Sequence, residues 1–189
     1  MDTVATMRQV VDGTTRIVDG ITPDQLGNAT PCTEWTVRDL LNHITGGATM
    51  FAIAAEDGTV PDEVFGQLVS GDNLGDDYQG AWKTASQRAI AAFNIPGAMD
   101  QTVKLPFGVM PAGAALSIAV FDVTTHATDL SKATNQPAPP AELLETALAV
   151  GKQMISPDYR VPGVFDAEQP APAGAPTSDR LLAFAGRRI

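Results

Sequence analysis

Histidine occurs only twice in the 189-residue sequence, at His43 and His126, and Asp122 stands four residues before the second. On a helix, residues i and i+4 lie on one face, a turn apart. A carboxylate and an imidazole so placed can share one metal ion, and His43 on a second helix can supply a third ligand. Two His and one Asp give the three-protein-ligand pattern of a catalytic metal site, with a position left for water or substrate. Helix bundles build such sites from side chains on facing helices. By spacing alone, the Asp122–His126 pair also reads as an ordinary helical contact worth roughly a few tenths of a kcal/mol.

Other residues around these three fit supporting roles. Asp129 can accept a hydrogen bond from a histidine N–H, either orienting a ligand or serving structure alone. Asp39, one turn before His43, can do the same, although helix capping accounts for it. Cys32 precedes a helix start, where the dipole lowers a thiol's pKa; a small half-buried turn residue is the plainer reading. Trp35 reads as a core or helix-entry residue, and Trp82, Met50 and Phe51 as core residues that could also border a pocket. A Cys₄ or Cys₂His₂ zinc site is excluded by the single cysteine. No phosphate-cradling glycine loop, His-Glu-x-x-His or Gly-x-Ser-x-Gly pattern occurs.

The elements that must position these residues are mostly helices. Apolar residues Val4, Met7, Val11, Val18 and Ile21 recur at helical spacing, which predicts a helix over 3–20. A second starts near Thr36, where Thr36 and Asp39 resemble a capping box, and runs past His43 to about Ala55. Gly46 and Gly47 follow His43; each costs a helix interior about 1 kcal/mol against Ala, so close helix approach or open space beside His43 is expected there. Residues 57–77 read as a Gly- and Asp-rich loop with a short helix near Val64 to Val69. A third long helix is predicted over 78–93, then a short extended or hairpin segment over 102–110. The fourth long helix follows, with Pro111 in its first turn, and ends near Ala133. Along it Leu116, Val120, Val123, Ala127 and Leu130 form an apolar stripe, which puts Asp122, His126 and Asp129 at the margin of the core. A fifth helix covers 141–155. The remainder, 155–189, reads as an irregular strap with a short helix over 179–185 capped by Thr177 or Ser178. The whole predicts one all-α domain, an up-and-down four-helix bundle with short additional helices.

Composition narrows the function. Twelve basic against 22 acidic residues leave a net charge of −10. Nucleic acid is a poor partner for such a chain, and so is an anionic membrane surface. No apolar run reaches the length of a membrane span, and no signal-peptide pattern opens the chain, so a cytoplasmic protein acting on a small-molecule substrate is expected.

Two stretches resemble a known family. Thr30-Pro31-Cys32-Thr33-Glu34-Trp35-Thr36-Val37-Arg38-Asp39-Leu40-Leu41-Asn42-His43 resembles the opening of the DinB/YfiT-like metalloenzymes, in particular the actinobacterial branch with the mycothiol-dependent maleylpyruvate isomerase N-terminal domain. Phe121-Asp122-Val123-Thr124-Thr125-His126-Ala127-Thr128-Asp129-Leu130 resembles that branch's second motif, and the tail from Pro170 to Arg187 is similar too. The resemblance implies a four-helix bundle with a divalent metal held by His43, Asp122 and His126. Zinc is the first expectation; nickel, iron or manganese suit the same mixed ligands. The acid at this position is typically Glu in the branch, and Asp122 is one methylene shorter. The resemblance further implies a low-molecular-weight thiol such as mycothiol, activated by the metal. The isomerase carries a further C-terminal domain that contributes to its site, and no such domain is expected from this sequence. A thiol S-transferase is therefore the leading expectation. The alternatives are a non-catalytic metal-binding or stress-response protein acting through a partner or a homodimer, and a degenerate member without metal.

Overall fold

The computed structural model describes residues 2–33, 35–156, 160 and 166–189. Four long helices form the bundle: α1 (Thr3–Asp19), α2 (Val37–Asp57), α4 (Tyr78–Phe93) and α5 (Ala112–Ala133). The shorter α3 (Asp62–Ser70) lies between α2 and α4, while α6 (Ala141–Met154) and α7 (Thr177–Phe184) follow the bundle. An antiparallel hairpin, β1 (Thr102–Leu105) with β2 (Gly108–Pro111), leads into α5.

The α2 boundaries have clear local causes. Thr36 caps the N-terminus, its side chain accepting from the Asp39 N–H, and Asp39 reaches back to the Thr36 N–H at 2.9 Å. Gly58, at φ +74°, ends the helix in a left-handed conformation that glycine adopts without cost. The Asp57-Gly58 turn signal thus closes a longer helix than expected. The short helix suspected near Val64–Val69 is α3. Two expectations shift. Pro111 is not inside the fourth long helix but is the last residue of β2 and the N-cap of α5. Neither Thr177 nor Ser178 caps α7: Pro176 is its N-cap, and the Thr177 hydroxyl instead donates to Glu145 Oε1 on α6 at 2.7 Å.

The bundle is the all-α one expected, and contacts fix its helix directions. The Tyr78 hydroxyl donates to the Ile21 carbonyl and Trp82 Nε1 to Thr15 Oγ, so α4 begins where α1 ends. Arg38 bonds Asp72 and Arg88 bonds Glu56, so α2 and α4 run the same way. Gln136 and Asn28 tie the end of α1 to the end of α5. The order is therefore up, down, down, up rather than strict alternation, because the long connection bearing α3 returns the chain before α4 begins.

The main core gathers Val18, Leu40, Leu41, Ile44, Trp82, Phe93, Leu116 and Leu130. A second cluster, with Phe121, Leu144, Leu148, Leu181 and Phe184, docks α6 and α7 onto α5. This second layer changes the surroundings of α5. His126 and Asp129 were expected at the core margin, but α6, α7 and the chain end cover that side and bury them. Buried Thr124, Thr125, Thr128 and Thr134 satisfy their hydroxyls on carbonyls four residues back. Of the strap expected over 155–189, residues 157–159 and 161–165 lie outside the described residues, as does Glu34 of the first motif.

Candidate metal centre

The first and second turns of α2 carry His43 inward, and the middle of α5 brings Asp122 and His126 to meet it. His43 Nε2 lies 3.4 Å from Asp122 Oδ1, and His126 Nε2 lies 3.6 Å from the same oxygen. One donor atom from each of the three residues falls within 4.8 Å of the others. Ligand atoms about 2.1 Å from a tetrahedral ion stand roughly 3.4 Å apart, so these separations suit one small cation.

The hydrogen bonding points the same way. His126 Nδ1 is 3.2 Å from Asp129 Oδ2, and Asp129 also accepts from Arg187 Nη2 at 2.9 Å. A carboxylate in this ion pair can only accept, so Nδ1 carries a proton, and Nε2 is left facing Asp122 Oδ1. In type and spacing the donor set fits a divalent ion, and the shorter Asp122 reaches as far as the cluster requires.

Electrostatics couple the cluster. Burial works to raise the Asp122 pKa, but His43 and His126 outweigh it and hold the carboxyl down at about 2. For His43, burial opposes the charged form, and the charge and hydrogen bond of Asp122 overcome it, so its pKa is raised. Arg187 is raised as well: its burial is more than offset by the charge of Asp129 and its hydrogen bonds.

Trp35 is not simply a core residue. Its ring lies 4.9 Å from that of His43 and stacks at 5.9 Å on His126, forming one wall of the cluster. Cys32 is half-buried, and its sulfur approaches His126 and Asp129. Burial pushes its thiol pKa up, with Arg187 opposing and Asp129 adding to the rise, so a thiolate favoured by a helix N-terminus is not what this position provides. Asp39 stays with its cap, where Thr36 lowers its pKa, and makes no contact with the imidazoles among the described hydrogen bonds. Trp82 and Phe51 are core.

A cleft of about 410 Å³ opens beside His43. Trp35, Asp39, Asn42, Met50, Phe65 and Leu68 are among its walls, with Gly46 and Gly47 along α2. Both reasons expected for the glycine pair are present. A Cβ on Gly46 would lie 2.8 Å from the Leu68 carbonyl, so α3 approaches closely there; a Cβ on Gly47 would meet nothing within 4 Å. Sequence reasoning missed Arg187. An Asp on the covered side of a helix calls for a cation, but no spacing says which of the chain's twelve would reach it.

Fold and site together define a DinB-like helical-bundle protein with a donor set fit for one divalent ion. The chain belongs to the mycothiol maleylpyruvate isomerase N-terminal domain family, which matches residues 7–131. It is 34% identical over 191 residues to the uncharacterized protein Rv0738 of Mycobacterium tuberculosis (strain H37Rv), the alignment covering 100% of both chains. Among solved structures it is similar to the mycothiol-dependent maleylpyruvate isomerase, with a TM-score of 0.61 and 19% identity over 77% of this chain and 66% of that one. A DinB-like protein from Bacillus subtilis matches with a TM-score of 0.59 and 16% identity, over 74% of this chain and 96% of the other. At these identities the structural likenesses show the fold.

Proposed function

We propose that this protein is a divalent-metal-dependent enzyme that uses a low-molecular-weight thiol of the mycothiol type, with His43, Asp122 and His126 as the ligands and zinc as the resident ion. The observation that carries the reading is the convergence of three donor atoms from α2 and α5 within 4.8 Å of one another, beside an open cleft. An ion bound there would supply Lewis acidity and favour the deprotonated form of an incoming thiol. Asp129 and Arg187 fix the ring of His126 and select its tautomer. Trp35 holds both imidazoles in place and limits water on one side. His43 borders the cleft, so the cluster communicates with a space large enough for a small molecule. A purely structural ion would instead sit in a closed site with a fourth protein ligand, so the open cleft favours catalysis over the non-catalytic alternative.

The reaction the reading supports is addition. The thiol sulfur bonds to the β-carbon of an electron-poor double bond, the π bond breaks, and the proton lost from sulfur returns on the α-carbon, with no oxidant required. In this reading the enzyme works in the cytoplasm, where such thiols are kept reduced. The test is adduct formation between mycothiol and an enone, followed by mass spectrometry with zinc-loaded protein. The expected result is acceleration over the protein-free rate that is lost with Asp122→Asn and with a chelator. No acceleration with zinc, nickel, iron or manganese would refute it.

A further inference from the structure

Resting on the metal-dependent reading, we propose that the cleft between α2 and α3 selects an uncharged, largely apolar electrophile and disfavours a dicarboxylate of the maleylpyruvate type. The cleft's volume of about 410 Å³ falls in the range of small-molecule pockets. Its walls are more apolar than polar. Met50 from α2 and Phe65, Leu68 and Val69 from α3 supply apolar surface, and Trp35 adds an aromatic wall. None of the α3 residues is buried, and Val69 is 65% exposed at the rim. Phe65 and Leu68 rest partly on the core and Val69 stands clear of it, which leaves apolar surface that a ligand can desolvate.

The charged groups point the same way. Asp39 lies in the wall and Asp122 near the inner end. The arginines whose charges act on these carboxylates, Arg38 on Asp39 and Arg187 on Asp122, are already paired, Arg38 with Asp72 at 3.1 Å and Arg187 with Asp129 at 2.9 Å. Recognition of two carboxylates needs cations free to form charge-assisted bonds; of the lining groups only the His43 imidazole can carry positive charge, and Asp122 already engages it, while Asp39 adds a carboxylate. The cleft is also shaped rather than loose. Asn73 donates to the Leu68 and Asn42 carbonyls, and Asn42 bonds both Asn73 N–H and the Gly71 carbonyl, which fixes the end of α3 on α2. The open space over Gly47 forms part of the floor.

The test is a titration followed by protein NMR, on metal-free and zinc-loaded protein, with two unreactive probes. One is 4-phenyl-2-butanone, uncharged and apolar; the other is maleate, a dianion. The phenylbutanone should saturate in both metal states with shifts confined to Trp35, α2 and α3, and maleate should give none in the metal-free protein. Gly47→Leu, which fills the floor, should weaken the phenylbutanone about tenfold, the equivalent of one buried side chain's apolar contact. Val69→Lys, at an exposed position that cannot compromise the core, should also weaken it and should admit maleate. Tighter binding of maleate than of the phenylbutanone to wild type, or phenylbutanone binding unchanged in both variants, would overturn the proposal. Saturable phenylbutanone binding without turnover of any enone would remove the enzyme reading and leave the pocket's selectivity standing.

Discussion

Replacing Arg187 with methionine removes the guanidinium from a carboxylate that has no access to water. The Asp129 side chain is 0% exposed and Arg187 only 13%. The two are joined by bonds of 2.9 and 3.4 Å, and Arg187 also donates to the Ala185 carbonyl at 2.7 Å. Methionine keeps much of the stem but leaves Asp129 with His126 Nδ1 as its remaining side-chain partner. Removing one member of a buried pair costs about 3–5 kcal/mol. At roughly 2–4 °C per kcal/mol for a chain of this size, the melting temperature should fall by about 6–20 °C. Urea unfolding followed by tryptophan fluorescence measures the loss directly. Arg188→Met, at the exposed neighbour, is the control and should stay within about 0.5 kcal/mol of wild type. Adding Asp129→Asn to the Arg187→Met background removes the stranded charge while keeping an acceptor for His126, so the double variant should be more stable than the single. If Arg187→Met is no less stable than Arg188→Met, the chain end does not dock on α5, and the account of how His126 is oriented fails.

The glycine pair should separate cleanly. Gly47→Ala meets open space and should gain up to about 1 kcal/mol from helix propensity, whereas Gly46→Ala, pressed against the Leu68 carbonyl and Asn73, should lower the melting temperature and loosen α3, read by hydrogen exchange of its amides. Thr36→Ala should cost about 1 kcal/mol in urea unfolding through the lost α2 cap. The Asp39 pKa is lowered by that cap, so its contribution is present above about pH 4 and fades as pH falls through the lowered folded-state value; acid titrations of wild type and Thr36→Ala should converge at low pH. In metal-free protein, the raised His43 pKa contributes stability that is complete below about pH 6.5 and lost as pH rises through the folded value, while Asp122 contributes above about pH 4 and loses it toward pH 2. Melting temperature against pH should therefore fall off on both sides of that window, and His43→Ala should flatten the alkaline side.

The helices were legible because each announces itself locally. Thr36 with Asp39, Gly58 after Asp57, and apolar spacing along 3–20 and 112–133 act over a few residues of chain. His43, Asp122 and His126 stood out because the sequence holds so few histidines. Their meeting in space depends on α2 and α5 running in opposite directions, which no local signal encodes. The same limit explains the misplaced margin of α5: the face carrying Asp129 is closed by α7 and Arg187, nearly sixty residues away in the chain. Trp35 read as a core residue because an aromatic before a helix usually is one, and its contact with both imidazoles depends on α2 and α5 meeting. Thr177 resembled a cap by type, yet its hydroxyl is drawn to Glu145 on a neighbouring helix.

The central claim is that His43, Asp122 and His126 together hold one divalent ion, and metal content tests it most directly. Tag-free wild-type protein and His126→Ala should be dialysed exhaustively and analysed by elemental mass spectrometry, before and after reloading with zinc. The account predicts close to one ion per chain in wild type and a near-complete loss in His126→Ala, with the variant still folded by circular dichroism. Wild type that stays empty after reloading with zinc, nickel or manganese, or a variant that retains its metal, would contradict it.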